Sequence, residues 1–203
     1  DAFREKDTPE TREKLIGLVE KSVQQACGEI FNMAQGDSGQ HGMGTTLTGM
    51  LILGNKGFMA HVGDSRLYLL RDGALHQLSE DHSYVNEMVK RGMITAEAAK
   101  TSPYANVITR AVGIQSSVQV DVLPFDVLVG DTYLLCSDGL SRYFEDEAEE
   151  ELRGLLDGDN GDAVAQQLID IANERGGRDN ITTIVVRAVS DDANKQADVA
   201  HST

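Results

Sequence analysis

Three aspartates constrain this chain more than any other feature. Asp64, Asp138 and Asp179 each stand in a short Gly- or Asn-flanked turn beside an apolar run: AHVGDSRLYLL, DTYLLCSDGL and GGRDNITTIVV. A fold that satisfies all three places strand ends and rigid turns where carboxylates can meet at one sheet edge. Converging carboxylates without His or Cys partners suit a hard divalent cation, Mg2+ or Mn2+, which takes oxygen ligands. Each aspartate also has a plainer reading. Asp64 can form a local Asx-turn or pair with Arg66, Asp138-Gly139 can be a simple turn, and Asp179 can open a strand. Asp138 gains weight from its context, because TYLLC is almost wholly apolar and a carboxylate placed against it is costly without a partner.

The rest of the pattern supplies an α+β frame. Thr8-Pro9 reads as a helix start, with Thr at the N-cap and Pro in the first helical position. Leu15, Leu18, Val19, Val23, Ala26, Cys27 and Ile30 then keep helical spacing to about Ala34. From Thr45 the period changes. TTLTGMLIL, FMAHV, RLYLL and ALHQL, separated by turn residues, read as an antiparallel meander. Ser83 to Thr101 reads as two short helices broken at Gly92, with Ser83 and Thr95 as N-caps. VQVDVLPF and DTYLLCSDG resume the strands, and two helices follow, 145–156 and 162–175. ITTIVVRAV is apolar enough for a central strand. Helices flank runs of strands and do not alternate with them, which is the α+β class.

At 203 residues the chain is long enough for one domain with a real core. Its formal charge of -15 argues against nucleic-acid binding, which needs a basic face, and favours divalent cations. The two cysteines, Cys27 and Cys136, read as small core residues in a reducing compartment. No apolar run reaches the length of a membrane span and no signal-peptide pattern is visible, so the expected location is cytoplasmic. His61 reads as a packed or surface residue, His82 as an aid to a turn, and His41 as a loop residue in solvent. Asp72-Gly73 reads only as a hairpin turn.

The joint order of motifs is more specific than any one of them. GMGTTLTGMLI, AHVGDSRLYLLRDGALHQLSEDHSYVNEMVKRGMIT, PYANVITRAVG, YLLCSDGLSRYF and GGRDNITTIVV occur in that succession. Over about Gly42 to Arg187 the chain resembles the PP2C (PPM) metal-dependent Ser/Thr protein phosphatases, in particular the compact bacterial type. The resemblance implies two packed antiparallel sheets flanked by helices on both faces, an αββα sandwich. It implies a single phosphatase domain over 1–189, a flap subdomain over 79–107 and a disordered tail over 190–203. It implies Asp138 and Asp179 as ligands of one cation, and Asp64 with Asp138 at a third, weaker metal site. The cofactor implied is Mg2+ or Mn2+, two or three ions in the complete enzyme. The implied chemistry is attack of a metal-activated water on phosphoserine or phosphothreonine. Phosphoprotein targets of a Ser/Thr kinase are the implied partners, and a monomer the implied state.

One departure qualifies the resemblance. The family carries an R-x-x-N-E-D-like motif and a D-G-M-G-G-H motif before the first long helix. They supply a bridging Asp, a carbonyl ligand, a phosphate-binding Arg and a His proposed as general acid. Neither is matched here, since Gly42-Met43-Gly44 has no preceding Asp and heads a strand. The sequence is therefore expected to hold part of the site and to lack one or two strands. Two other readings stand beside the enzyme. One is a catalytically inactive phosphatase-like binding or regulatory module. The other is an acidic α+β binding domain whose aspartates only build turns.

Overall fold

The computed structural model describes residues 8–36 and 38–190. They form two compact units, residues 8–66 with 79–125 and residues 67–78 with 126–190. Each unit has its own sheet, and the class is α+β with two antiparallel sheets and helices. Of the tail expected over 190–203, residues 191–203 lie outside the described residues.

The first unit opens with helix α1, Pro9–Gly36. Thr8 accepts from the Thr11 amide at 3.2 Å through Oγ1, and its own amide donates to Thr11 Oγ1 at 2.9 Å. This is a reciprocal cap with Thr in the place Glu or Gln normally takes. Val23, Cys27 and Ala34 form the buried face, whereas Leu18, expected in the stripe, is exposed. Val23 and Cys27 pack with Val62 and Val112, joined by Ile30, Leu47, Val118 and Val120. Strands β1 (Leu47–Leu53) and β2 (Lys56–Val62) make a hairpin in register from Leu47↔Val62 to Leu53↔Lys56. Strand β5 (Asp121–Asp126) flanks β2 on its other side. The β5 ring of Phe125 lies where a Cβ on Gly57 would stand, 2.2 Å from the nearest ring atom.

Two strand expectations change here. The four strands from Thr45 to Leu78 are not one meander. β3 (Arg66–Arg71) and β4 (Ala74–Gln77) leave the first sheet and join the second, whose order is β4-β3-β6-β7. The break falls at Gly63, which takes φ +114° and lies so close to Thr46 that a Cβ would meet its Cγ2 at 2.4 Å. Such a backbone, closed to other residues, redirects the chain where a hairpin would have returned it. The strand expected from Val118 starts later, at Asp121. The Val118 peptide is held instead by the side-chain amide of Gln24 on α1, accepting from its Nε2 and donating to its Oε1.

The segment after Gln77 and before Asp121 behaves as its caps predict. Helix α2 (Tyr84–Lys90) starts on Ser83, whose hydroxyl accepts from the Asn86 amide, and α3 (Ala96–Lys100) on Thr95, which accepts from the Ala98 amide. Neither helix has a buried residue.

In the second unit, every residue of β6 (Thr132–Cys136) is buried. β7 (Thr183–Arg187) pairs with it from Thr132↔Arg187 to Cys136↔Thr183. β7, expected to be central, is the last strand of its sheet among the described residues, and Ile184 is exposed. Its apolar character serves helix packing. Ile181 and Val185 lie against the cluster of Val164, Leu168 and Ala172 from helix α6, Gly161–Glu174. Leu152 and Leu156 of helix α5 (Glu149–Leu156) join that cluster, with Leu134, Cys136, Leu140 and Phe144. α5 begins four residues later than expected, because Asp146 takes φ +58° and the residues to Ala148 form a 3-10 turn. Asp72 and Gly73 take φ +50° and +74°, the backbone of a type I′ hairpin turn. Cys27 and Cys136 are both buried and free. No helix among the described residues is long and apolar enough to cross a membrane.

Asp131 anchors this sheet. Its buried carboxylate accepts from Arg71 Nε at 2.7 Å and Nη2 at 2.6 Å, from the Leu128 amide at 2.8 Å and from Tyr133 Oη at 2.8 Å. Burial alone pushes this carboxyl up, but Arg71, the Leu128 amide and Tyr133 together hold it below its ordinary value. Burial and the adjacent Asp131 push the Tyr133 hydroxyl up. A carboxyl depressed on folding stabilises the fold above its unfolded pKa and loses that contribution as pH falls through the folded one. Denaturant unfolding should therefore give stability that declines below about pH 4. Asp131→Asn should lower stability at neutral pH by about 3 kcal/mol, leaving Arg71 without its charge partner, and should flatten the acid slope. An unchanged slope would show that Asp131 is not the group responsible.

Amide exchange should also separate the elements. The amides of α2 and α3, with no buried residue, should exchange faster than those of β6. Equal protection would mean that the two short helices are held by interactions other than burial.

Candidate metal centre

Strand β6 delivers Asp138 to a narrow place. Ser137 is extended at φ -75° and ψ 165°, and a four-residue helix α4, Asp138–Ser141, starts directly after it. Ser137 does not cap α4 with its hydroxyl. Its Oγ donates to Asn180 O at 2.9 Å and accepts from the Thr182 amide at 3.0 Å, while its own amide donates to Thr182 O at 3.1 Å. These bonds extend the β6–β7 ladder past its last pair and fasten the Ser137-Asp138-Gly139 turn to the Asp179-Asn180 turn. Gly139 completes the closure. A Cβ there would lie 2.4 Å from Asn180 O and 3.3 Å from the carbonyl carbon of Asp179.

The second turn is prepared by the end of α6. Arg175 closes the helix, and Gly176 and Gly177 follow at φ +128° and +51°. The Gly177 amide returns to Ala172 O at 3.1 Å. The Arg178 amide donates to Tyr143 Oη at 3.1 Å, tying the turn to the segment after α4. Asp179 Oδ1 accepts from the Asn180 amide at 2.8 Å, which orients the carboxylate. Asp138 is half-buried and Asp179 exposed. The second unit thus brings two of the three aspartates onto adjoining turns at one end of its sheet.

Asp64 belongs to the first unit, in the turn between β2 and β3. This turn is fastened from several sides. The Gly63 amide donates to His82 Nδ1 at 3.0 Å, and Gly63 O accepts from the His82 amide at 2.7 Å. Thr48 Oγ1 donates to Ser65 O at 2.9 Å, and Arg66 grips Asp81 through Nε at 3.0 Å and Nη2 at 2.7 Å. Because His82 Nδ1 accepts an amide proton, the ring carries its own proton on Nε2, which faces Asp121 Oδ2 at 3.0 Å. Burial pushes the Asp121 carboxyl up, but His82 and Arg110 outweigh it and hold the group below its ordinary value. His61 lies 4.7 Å from His82, ring to ring, and Glu80 O accepts from its Nε2 at 2.9 Å. Burial, reinforced by His82, pushes the His61 ring down.

Two histidine expectations are met: His82 supports a turn, and His61 is packed. His41 lies exposed in its loop. The partners of His82 were not legible, since Asp121 and Arg110 stand 39 and 28 residues away. Nor was the ion pair between Arg142 and Asp138, although their i,i+4 spacing is the one signal that could have suggested it. Among the described residues no group of three or more His, Cys, Asp or Glu side chains is gathered closely enough to hold a metal ion.

The profile of the family described as Protein phosphatase 2C matches residues 2–181. This chain belongs to that family. The serine/threonine phosphatase stp of Listeria monocytogenes (serovar 1/2a) is 38% identical over 187 residues, covering 92% of this chain and 73% of the relative. The serine/threonine phosphatase of S. agalactiae has a solved structure that superposes with a TM-score of 0.81 at 34% identity, over 88% of this chain and 72% of that one. The catalytic domain of the serine threonine protein phosphatase PstP, solved with two manganese ions, gives a TM-score of 0.76 at 36% identity, over 85% and 70%. The α+β fold of this chain is the fold of these phosphatases.

Gly139 tests the closure directly. Gly139→Ala forces a Cβ into backbone that cannot step aside as a flexible side chain would. It should cost about 1–3 kcal/mol in urea unfolding. A neutral result would mean that the two turns are not held in contact.

Proposed function

We propose that this chain carries the chemistry of a metal-dependent protein serine/threonine phosphatase, which hydrolyses phosphoserine and phosphothreonine in proteins. The observation that carries the reading is the backbone contact of Gly139 with Asn180, which sets the Asp138 and Asp179 turns side by side. The relatives named serine/threonine phosphatases, and the two manganese ions of PstP, support it from outside the chain.

The donor set fits a hard cation as a partial set. Carboxylate oxygens are the ligands that Mn2+ and Mg2+ take. Asp138 and Asp179 are the proposed ligands of one cation, and Asp64 is a proposed ligand of a further one. A bound cation supplies Lewis acidity, lowering the pKa of water and offsetting phosphoryl charge in an acidic protein. The chain's own part is to hold the carboxylates still. Ser137, Gly139 and the Asn180 amide do so for the Asp138 and Asp179 turns, and Gly63 with His82 for the Asp64 turn. The segment 79–107 is proposed as the flap that handles substrate, the phosphoprotein product of a Ser/Thr kinase.

The second reading, a phosphatase-like module without catalysis, also has an observation behind it. Asp138 is paired with Arg142, and no three metal-holding side chains gather among the described residues. Turnover decides between them. With Mn2+, the chain joined to a segment bearing the two motifs it does not match should hydrolyse p-nitrophenyl phosphate and a phosphothreonine peptide, whereas residues 1–203 alone should bind Mn2+ weakly and turn over little. Asp138→Asn should remain folded, lose the tightest Mn2+ binding and lose more than about a hundredfold in turnover, roughly 3 kcal/mol of transition-state stabilisation. Asp179→Ala should match it, whereas Asp64→Ala should keep the tightest Mn2+ binding and lose turnover. Wild-type turnover in folded Asp138→Asn would sink the enzymatic assignment. Mn2+ binding without turnover would favour the binding module.

A further inference from the structure

Arg142 stands one helical turn after Asp138, and its Nη2 donates to Asp138 Oδ2. The geometry of this pair is set by the backbone. Arg142 is the C-cap of α4, and its amide donates to Asp138 O at 3.3 Å. Gly139, Leu140 and Ser141 between them are buried, so the short helix is a firm base from which only the two charged ends reach outward. The side chains remain partly open to solvent, 39% for Arg142 and 26% for Asp138. Asp179 is on the adjoining turn, and among the described residues it makes no ion pair.

The electrostatic logic follows. Two carboxylates on turns in backbone contact repel each other, and a partly desolvated charge needs a partner. Arg142 supplies one positive charge at that point. A cation ligated by Asp138 requires the same oxygen lone pairs, so the guanidinium and the cation compete for one carboxylate.

We propose that Arg142 is a displaceable counter-ion. It keeps Asp138 charge-balanced while no cation is bound, and its competition for Oδ2 sets the cation concentration at which the Asp138 site fills. Arg142 is thus a positioning residue that acts through Asp138. The inference rests on the metal reading given above and goes beyond it by naming the residue that opposes binding.

The test is Mn2+ binding, read by the electron paramagnetic resonance of free Mn2+ and by water-proton relaxation, which needs no substrate. The proteins are the chain itself, Asp138→Asn, Arg142→Met and Arg142→Lys, each checked for folding by circular dichroism. Only the part of the signal that Asp138→Asn abolishes is counted, because a chain of charge -15 also binds Mn2+ loosely elsewhere. Arg142→Met should bind about fivefold more tightly than the wild type, the scale of a partly exposed ion pair. Arg142→Lys, which keeps the charge without the fork, should fall between them. Equal or weaker binding by Arg142→Met overturns the inference, and so does Arg142→Lys as tight as Arg142→Met. If wild type and Asp138→Asn bind alike, no Asp138 site exists, and the metal reading falls together with the inference.

Discussion

The close approach of the Gly139 backbone to Asn180 is the constraint on which the candidate centre depends. It is a contact between two main chains, and only a residue without a Cβ permits it. Ser137 makes the approach specific. By giving its hydroxyl to Asn180 O and taking the Thr182 amide, it gives up the usual role of a serine before a helix. α4 is left without a side-chain cap, and the sheet gains one more rung beyond Cys136↔Thr183. Local helix stability is lowered so that two turns can be joined. The apolar wall behind them, from Leu134 and Leu140 to Leu168, fixes where that junction lies.

The Asp64 turn is held by different means. In the first unit the fastening is a buried imidazole, which binds the Gly63 peptide through both its ring and its own main chain. His82 can accept the Gly63 amide only in one tautomer; Asp121 selects that tautomer from the far side of the ring, and Arg110 holds the Asp121 carboxylate there. Three ionisable groups from distant parts of the chain therefore determine the path of one glycine. Burial pushes the pKa of the neighbouring His61 ring down.

Much of this was legible in the sequence, and the reasons differ by element. Caps are local, so Ser83 and Thr95 announced α2 and α3, and Gly176 announced the end of α6. Turn chemistry is local too, and Asp72-Gly73 is the hairpin it promised. What failed depended on distant partners. The period of β1 to β4 is the same whether the strands form one sheet or two, so only the positive φ of Gly63 and its contact with Thr46 show the change of sheet. The apolar run of β7 suggested a central strand, because a sequence cannot tell burial under a helix from burial between strands. Asp138 and Asp179 were each recognisable, but their adjacency is made by Ser137 and Gly139, residues whose types look ordinary for a turn.

Asp131 and Asp138 differ in how their charge is managed, and this follows from where each carboxylate sits. Asp131, deep in the second unit, is surrounded by four donors from three residues and is committed to them, because a buried anion cannot be left partly satisfied. Asp138, at the rim of the same sheet, is met by one guanidinium from its own short helix. Solvent shares the burden there, so the pair is weak and can be exchanged. A carboxylate with a structural task is enclosed by its donors. One meant to take a ligand must be held by its backbone, with only loose compensation of its charge. Asp138 has the second arrangement: a main chain fixed by the hydrogen bonds of Ser137 and the Gly139 contact, and a carboxylate whose partner can leave.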